Sequence, residues 1–228
     1  MKGAVVLLSG GLDSSVLLHW MRRELGSEAD LRALSFDYGQ RHDVELDRAR
    51  VQAVRAGVRE HRIVPARFFA ELVAGATVLT DRQTSVPDGR TIPDAERDQP
   101  PTYVPNRNMV LLALAAAYAE AVGVPTVCYG AHRSDAYGYW DCTSDFVRAM
   151  NAVLAQNRRQ PVRVLAPFVT MTKAEIIRTG VALGVDFSAT WSCYRGTPPA
   201  CGACSTCLER QRAFQDAGVR DPLAWEKE

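Results

Sequence analysis

The stretch "AVVLLSGGLDSSVLLHWM" constrains this chain more than any other, because it forces a strand, a tight turn and a helix into eighteen consecutive residues. Residues 4–8 are short, aliphatic and β-branched, the signature of a buried strand. From residue 14 to 25, apolar side chains recur at Val16, Leu17, Trp20, Met21 and Leu25, a helical spacing. Between the two lies Ser9-Gly10-Gly11-Leu12-Asp13-Ser14-Ser15. Paired glycines reach backbone angles closed to other residues, and the first N–H groups of a helix have no partner within it. The turn therefore reads as an anion cradle. Helix capping by one Ser or Asp is the competing reading, and it leaves two glycines and the other hydroxyls unexplained. The run has neither the Gly-x-x-x-x-Gly-Lys-Ser/Thr of a P-loop nor the Gly-x-Gly-x-x-Gly of a dinucleotide site.

Further along, residues 31–36, 61–64, 126–129 and 162–165 read as strands, and residues 44–56, 108–122, 144–156 and 172–183 as helices. Alternation of this kind implies parallel pairing with right-handed crossovers, hence a doubly wound α/β sheet. Ligands of such sheets sit beyond the carboxyl ends of the strands, where the first loop also lies. Residues 75–105 carry many Thr, Asp, Arg, Gly and Pro and little periodicity, as expected of a partly mobile flap over a site. Residues 1–185 are expected to form the α/β domain with this flap, and 186–228 a small tail packed on it.

That tail contains "WSCYRGTPPACGACSTCLERQRAF", with Cys193 ahead of a Cys-x-x-Cys-x-x-Cys run through Cys201, Cys204 and Cys207. Four thiolates can close a tetrahedral shell on one structural Zn²⁺. An iron–sulfur cluster takes the same number of thiolates, and a redox pair would use only two of them. Cys128 falls in an apolar strand and reads as core, whereas Cys142 falls in a loop.

Composition narrows the partners. With 47% hydrophobic residues and a formal net charge of +1 over 228 residues, the chain has ample core and no excess of positive charge to attract a polyanion. Small-molecule substrates follow, with no direct nucleic-acid partner. The chain opens Met-Lys-Gly and shows neither a signal pattern nor a spanning apolar run, so a cytoplasmic protein without a membrane partner is expected. The apolar helix at residues 109–119 would serve a homodimer as readily as a core.

The Ser-Gly-Gly-x-Asp-Ser loop resembles that of the PP-loop ATP pyrophosphatases, which share an adenine nucleotide alpha hydrolase-like fold. "SFDYGQRHDVEL", "YVPNRNMVLLALAAAYAE", "GYWDC", "MTKAEII" and the cysteine segment occur in the order found in the 7-cyano-7-deazaguanine synthase family, and the chain resembles that family over nearly its whole length. The resemblance implies conversion of 7-carboxy-7-deazaguanine and ammonia to the nitrile with ATP, through an adenylated acid and an amide, on the route to queuosine and archaeosine. By resemblance, Leu8, Ser9, Gly10, Gly11, Leu12, Asp13, Ser14, Ser15, Val16, Leu17 and Leu18 surround ATP, with Asp13 near Mg²⁺. Lys173 reaches either the phosphates or solvent, and Arg107 and Asn108 either face the cleft or cap a helix. Asp13, Lys173 and Arg107 are the candidate catalytic residues. Tyr38, Gln40, Arg41, His42, Asn108, Asp135, Tyr139 and Asp141 are the candidate substrate contacts, with Asp135 or Asp141 accepting from the base and the tyrosines stacking on it. His19 and His61 are expected to be structural.

One segment departs from the family. Its usual Ser-Gly-Tyr-Pro-Asp-Cys-Arg is here Tyr137-Gly138-Tyr139-Trp140-Asp141-Cys142-Thr143. The acidic partner of the lost arginine has to be absent or be met by another residue such as Arg133 or Arg148, and the change leaves open an enzyme that stops at the amide or joins the activated acid to an amine other than ammonia. A tRNA-thiolating enzyme is the rival within the superfamily, and a zinc-bearing binding module the rival outside enzymes.

Overall fold

A computed structural model describes residues 3–93, 99–135 and 138–226. Five strands, β1 (Gly3–Leu7), β2 (Asp30–Asp37), β3 (Glu60–Pro65), β4 (Thr126–Cys128) and β5 (Arg163–Leu165), form one parallel sheet in the order β3-β2-β1-β4-β5. The strand order runs outward from β1 in both directions, so the topological switch lies between β1 and β4. This is the doubly wound sheet expected from the alternation of periods.

Helices cover both faces. These are α1 (Leu12–Leu25), α2 (Val44–Arg55), α3 (Phe68–Leu72), α4 (Arg107–Ala121), α5 (Ser144–Leu154), α6 (Lys173–Ala182) and α7 (Ser205–Ala217). Because strand side chains alternate, β1 feeds two cores: Val5 packs with Leu34, Leu112 and Val164 on the α4–α5 face. Ala4 and Val6 pack with Val16, Leu17, Ile176 and Phe214 on the opposite face. Each such fully buried aliphatic or aromatic side chain contributes about 1.5–3 kcal/mol. On α4, Ala115, Ala116 and Ala119 are buried, and their small size lets this helix lie close on the sheet.

Observed boundaries lie within two residues of those expected, but α3 and α7 were not foreseen. The buried face of α7 consists of Cys207, Arg210, Ala213 and Phe214, which carries too little apolar character to be read as a helical stripe. Arg210 is 1% exposed and fully engaged: Asp221 accepts from it at 2.8 and 2.9 Å, Thr190 Oγ1 at 2.8 Å and the Phe187 carbonyl at 3.1 Å. A buried cation with every donor satisfied fixes α7 against the turn that precedes the cysteines.

Residues 75–93 and 99–105 contain no helix or strand among the described residues, yet they are tied down. The Arg41 N–H donates to the Leu79 carbonyl at 2.9 Å, and Gly89 N–H to the Ala203 carbonyl at 2.9 Å. No helix among the described residues is long and apolar enough to cross a membrane.

Candidate active site

A cavity of about 690 Å³ opens above the carboxyl ends of β1, β2 and β4, lined by residues from the first loop, the segment after β2, the start of α4, the segment after β4 and the tail. It lies at the switch point, where a doubly wound sheet leaves its crevice.

The floor is the turn after β1. Gly10 has φ +88°, and a Cβ there would sit 2.0 Å from the Glu45 carbonyl oxygen, so only glycine fits. Gly11 caps α1 without a side-chain acceptor, leaving the first N–H groups of the helix to point upward. Hydroxyls hold the turn: Gly11 N–H donates to Ser9 Oγ at 3.1 Å, Ser9 N–H to Ser14 Oγ at 3.2 Å, and Ser15 Oγ to the Gly11 carbonyl at 2.7 Å. The backbone after β4 approaches closely as well, since a Cβ on Gly130 would lie 3.2 Å from Ser14 N.

Not every residue of the loop meets the cavity. Leu8, Ser9, Gly11, Leu12, Asp13 and Ser14 line it. Val16, Leu17 and Leu18 are fully buried beneath it as the core face of α1, Ser15 is buried in the turn, and Gly10 gives the turn its bend; none of these five lines the cavity.

Beside the floor stands a charged network. Thr172 and Glu175 form a reciprocal capping box that starts α6 and sets Lys173 at its first position. Lys173 Nζ lies 2.6 Å from Glu209 Oε2 and 3.4 Å from Asp13 Oδ2. His132 Nε2 lies 3.6 Å from Asp13 Oδ2 and 3.3 Å from Asp135 Oδ2. Burial pushes the Asp13 carboxyl up, but Lys173 and His132 outweigh it and hold Asp13 well below the usual carboxylate range. Asp135, more weakly compensated by His132 and Lys173, is pushed by burial up to about 6. Asp13 Oδ1 and His132 Nδ1 are buried and have no protein partner.

The opposite wall is aromatic. Asn106 takes the left-handed φ of 54°, a conformation Asn tolerates better than most residues, and so turns the chain into α4 at Arg107. Burial opposes the charge on Arg107, yet Tyr38, Tyr194 and Asp141 around its guanidinium keep it firmly protonated. Tyr38, Gln40, His42, Asn108, Asp135 and Tyr139 all line the cavity. Gln40 holds its loop, accepting from Tyr38 N–H at 2.9 Å and donating to the Phe36 carbonyl at 3.1 Å. Burial drives the His42 imidazole down to about 3, so it is neutral.

Two expected contacts lie elsewhere. Arg41 does not line this cavity, because its guanidinium donates to the Thr84 carbonyl at 2.7 Å and the Val78 carbonyl at 3.2 Å, gripping the segment after α3. Asp141 is 2% exposed and accepts from Asn108 N–H at 3.1 Å, so it anchors the start of α4. Neither Arg133 nor Arg148 replaces the family arginine in the cavity: Arg148 pairs with Asp145 at 2.7 Å on the surface, and Arg133 is exposed outside the lining. Tyr137 lies outside the described residues. Trp140 Nε1 donates to Tyr103 OH at 2.9 Å and its ring meets Phe146 edge-on, while Thr143 caps α5 by accepting from Phe146 N–H at 3.1 Å. His19 bonds Gln52 and His61 bonds Ser35, and neither histidine lines the cavity.

The tail completes the site. Trp191 N–H donates to the Gly10 carbonyl at 3.0 Å, and Trp191, Ser192, Tyr194, Ser205, Thr206 and Glu209 line the cavity. Behind them, Cys193, Cys201, Cys204 and Cys207 bring four sulfurs within 4.8 Å of one another. Backbone N–H groups of Cys204 and Ala203 point at Cys201 Sγ at 3.3 and 3.5 Å, and Cys201 N–H at Cys193 Sγ at 3.4 Å. Such donors stabilise thiolates, and the group can hold a metal ion. Cys128 is buried core, and Cys142 lines the cavity with its thiol pushed up by burial. Glu45, Tyr194 and Glu209, which line the cavity, and His132, which reaches it only through Asp13 and Asp135, were not singled out from the sequence, since the spacing around each carries no motif.

Comparison with known proteins agrees with this geometry. A family model described as "Queuosine biosynthesis protein QueC" matches residues 3–218. Curated proteins named 7-cyano-7-deazaguanine synthase are 44% identical from Marinobacter nauticus, covering 98% of this chain and 97% of that one, and 44% identical from Archaeoglobus fulgidus, covering 99% and 91%. Among solved structures, an NMN synthetase from Francisella tularensis superposes with a TM-score of 0.52 at 15% identity, over 96% of this chain and 78% of that one. The U34-tRNA thiolase NcsA from Methanococcus maripaludis gives 0.50 at 13% identity over 94% of this chain, which spans 64% of the thiolase. These structural likenesses speak to the fold alone. With a family match over nearly its whole length and relatives above 40% identity at near-full coverage, the chain belongs to the QueC family of queuosine biosynthesis enzymes.

Proposed function

We propose that this protein converts 7-carboxy-7-deazaguanine and ammonia to 7-cyano-7-deazaguanine at the expense of ATP. The observation that carries this reading is the single cavity in which a helix N-terminus beside a lysine faces an aromatic wall with an arginine. A carboxylate cannot expel oxide, so its oxygen must first become a good leaving group. Transfer of AMP to it supplies one; ammonia then gives the amide, and a second activation removes the amide oxygen. In this reading the N–H groups at the start of α1 and Lys173 take the phosphates, whose charge they meet without reorganising. The network of Asp13, Lys173 and Glu209 holds the ammonium of Lys173 aimed at the turn. Mg²⁺, with Asp13 Oδ1 as its protein donor, would neutralise phosphate charge when bound. Tyr38, Tyr139 and Tyr194 supply faces for the deazaguanine ring, Asp135 accepts from its N–H edge, and Arg107 pairs with the acid.

Zn²⁺ is the metal that best fits four soft ligands in a closed group, and its role is to shape the tail that carries Tyr194 and Glu209. A thiolating activity needs a reactive sulfur outside that group. The remaining cavity thiol, Cys142, is held protonated by burial and accepts from Asn108 Nδ2 at 3.3 Å, which opposes such a role. The proposal includes a cytoplasmic homodimer, which sedimentation equilibrium tests.

Mass spectrometry of products from 7-carboxy-7-deazaguanine, ATP, Mg²⁺ and ¹⁵N-ammonia tests the reaction. A ¹⁵N-nitrile formed with AMP and pyrophosphate is expected. An accumulating amide would move the chain to an amide-forming ligase on the same acid, and no turnover would refute the substrate.

A further inference from the structure

Glu45 lies in the first turn of α2, and its backbone carbonyl is locked against the phosphate turn by the missing side chain of Gly10. Its carboxylate oxygen Oε1 would be 3.8 Å from a Cβ on Gly11, so the carboxyl faces the cavity directly beside the turn. The side chain is 14% exposed. Among the described residues no hydrogen bond to this carboxyl is formed, and its nearest titratable neighbour is His42 Nε2 at 3.5 Å.

The other acids of the cavity are differently placed. Asp13 is engaged by Lys173 and His132, Glu209 by Lys173, and Asp135 by His132. Asp135 is also pushed up, to about 6, but it shares His132 with Asp13, and a carboxyl already paired with a cation is a poor proton acceptor. His42 faces Glu45 as a neutral ring, Tyr38 stands nearby, and among the described residues Arg107 is the cation felt by Glu45. Among the described residues, Glu45 is thus the carboxyl lining this cavity that faces no cationic side chain within ion-pair distance.

Resting on the proposed reaction, we infer that Glu45 is the general base of amide formation, accepting the proton that ammonia gives up as it attacks the adenylated acid. The nitrogen lone pair forms the new C–N bond to the acyl carbon. One N–H bond breaks, its electron pair stays on nitrogen and its proton passes to the Glu45 carboxylate. The C–O bond to AMP then breaks, AMP leaves with that electron pair, and the amide remains. Glu45 returns the proton to solvent before the next turnover. Burial supports this assignment, raising the carboxyl to about 8 against the pull of Arg107 and of the α2 N-terminus, close to where a base for ammonium chemistry works best.

The test separates acid activation from amine transfer in the full-length, zinc-loaded protein. Activation is read as ATP–pyrophosphate isotope exchange dependent on 7-carboxy-7-deazaguanine, and transfer as amide or nitrile from ammonia. For Glu45→Gln, exchange is expected within about threefold of the unsubstituted protein, and transfer from ammonia reduced by about 100-fold or more. Hydroxylamine, whose nitrogen after attack is more acidic than that of ammonia and gives its proton to water without a positioned base, should still trap the activated acid as hydroxamate with less than about a tenfold loss. Transfer from ammonia at an undiminished rate would overturn the assignment, and so would an equal loss of exchange and hydroxamate formation. If Glu45→Gln does not fold, the unsubstituted protein decides: with free ammonia held constant, transfer must rise through an ionisation near pH 8 that exchange does not show. Absence of that ionisation rejects Glu45 as the base. Failure of the unsubstituted protein to show any acid-dependent exchange would instead reject the proposed reaction.

Discussion

Asp13 and Glu45 both lie beside the glycine turn after β1, and burial acts on both in the same direction. Asp13 meets Lys173 at 3.4 Å and His132 at 3.6 Å and stays ionised; Glu45 meets a neutral imidazole at 3.5 Å and a more weakly felt Arg107, and is pushed up to about 8. Partners rather than depth decide the charge state. One side of the cavity is built to keep fixed charge where phosphate would lie. The other side holds a carboxyl that changes charge near neutral pH.

Removing the cation should break this contrast most severely. Lys173→Met takes away the group that faces both Asp13 and Glu209, and acid-dependent ATP–pyrophosphate exchange is expected to fall by about 10³-fold. Exchange that survives within tenfold would show that Lys173 merely neutralises acids. With Zn²⁺ held by the four cysteines as proposed, a chelator that removes it should come next, costing on the order of several kcal/mol in thermal unfolding and loosening Trp191, whose N–H donates to the Gly10 carbonyl. Loss of Trp191 fluorescence polarisation together with exchange activity is the expected pair of readings.

The contrast also has a pH signature. Glu45 is raised in the folded state, so the folded protein binds its proton more tightly than the unfolded chain does. Its contribution to stability is complete below about pH 4.5 and is lost as pH rises through about 8. Urea titrations of the ligand-free protein should show stability declining by about 1–3 kcal/mol across that window, and Glu45→Gln should flatten the decline. Asp13 has the opposite sign: its contribution is present above about pH 3.8 and fades only in stronger acid. The smallest effect belongs to the segment that departs from the family. Thr143→Ala should cost about 1 kcal/mol through its cap on α5, with product formation changed by less than about threefold, because Thr143 does not line the cavity.

The same two sides differ in how much of them could be read in advance. The glycine turn is local: five apolar residues, two glycines, an acid and hydroxyls in one run dictate a strand, a bend and a helix start. The cysteine group is nearly as local, and its four sulfurs come together as the spacing implied. The parallel, doubly wound class of the sheet followed from alternating periods and the rarity of left-handed crossovers, whereas the strand order is seen only in the structure. By contrast, Glu45 and Glu209 look like ordinary solvent-facing acids of polar helices, and His132 like a loop polar residue. Their roles depend on α2 and α7 folding back over β1, a long-range placement that no spacing within either helix encodes. Arg41 and Asp141 fail in the opposite sense. They lie in segments that line the cavity, but a carbonyl and a helix start elsewhere offer their side chains better partners.

The most direct test is ¹³C NMR of protein labelled at the side-chain carboxyls, titrated from pH 4 to 9, with Glu45→Gln and Asp13→Asn used for assignment. A resonance lost in Glu45→Gln that titrates near pH 8, beside an Asp13 signal that stays ionised throughout, is the predicted result. A Glu45 signal titrating near its ordinary value of 4.5 would contradict the division of the cavity into a fixed-charge side and a proton-exchanging side.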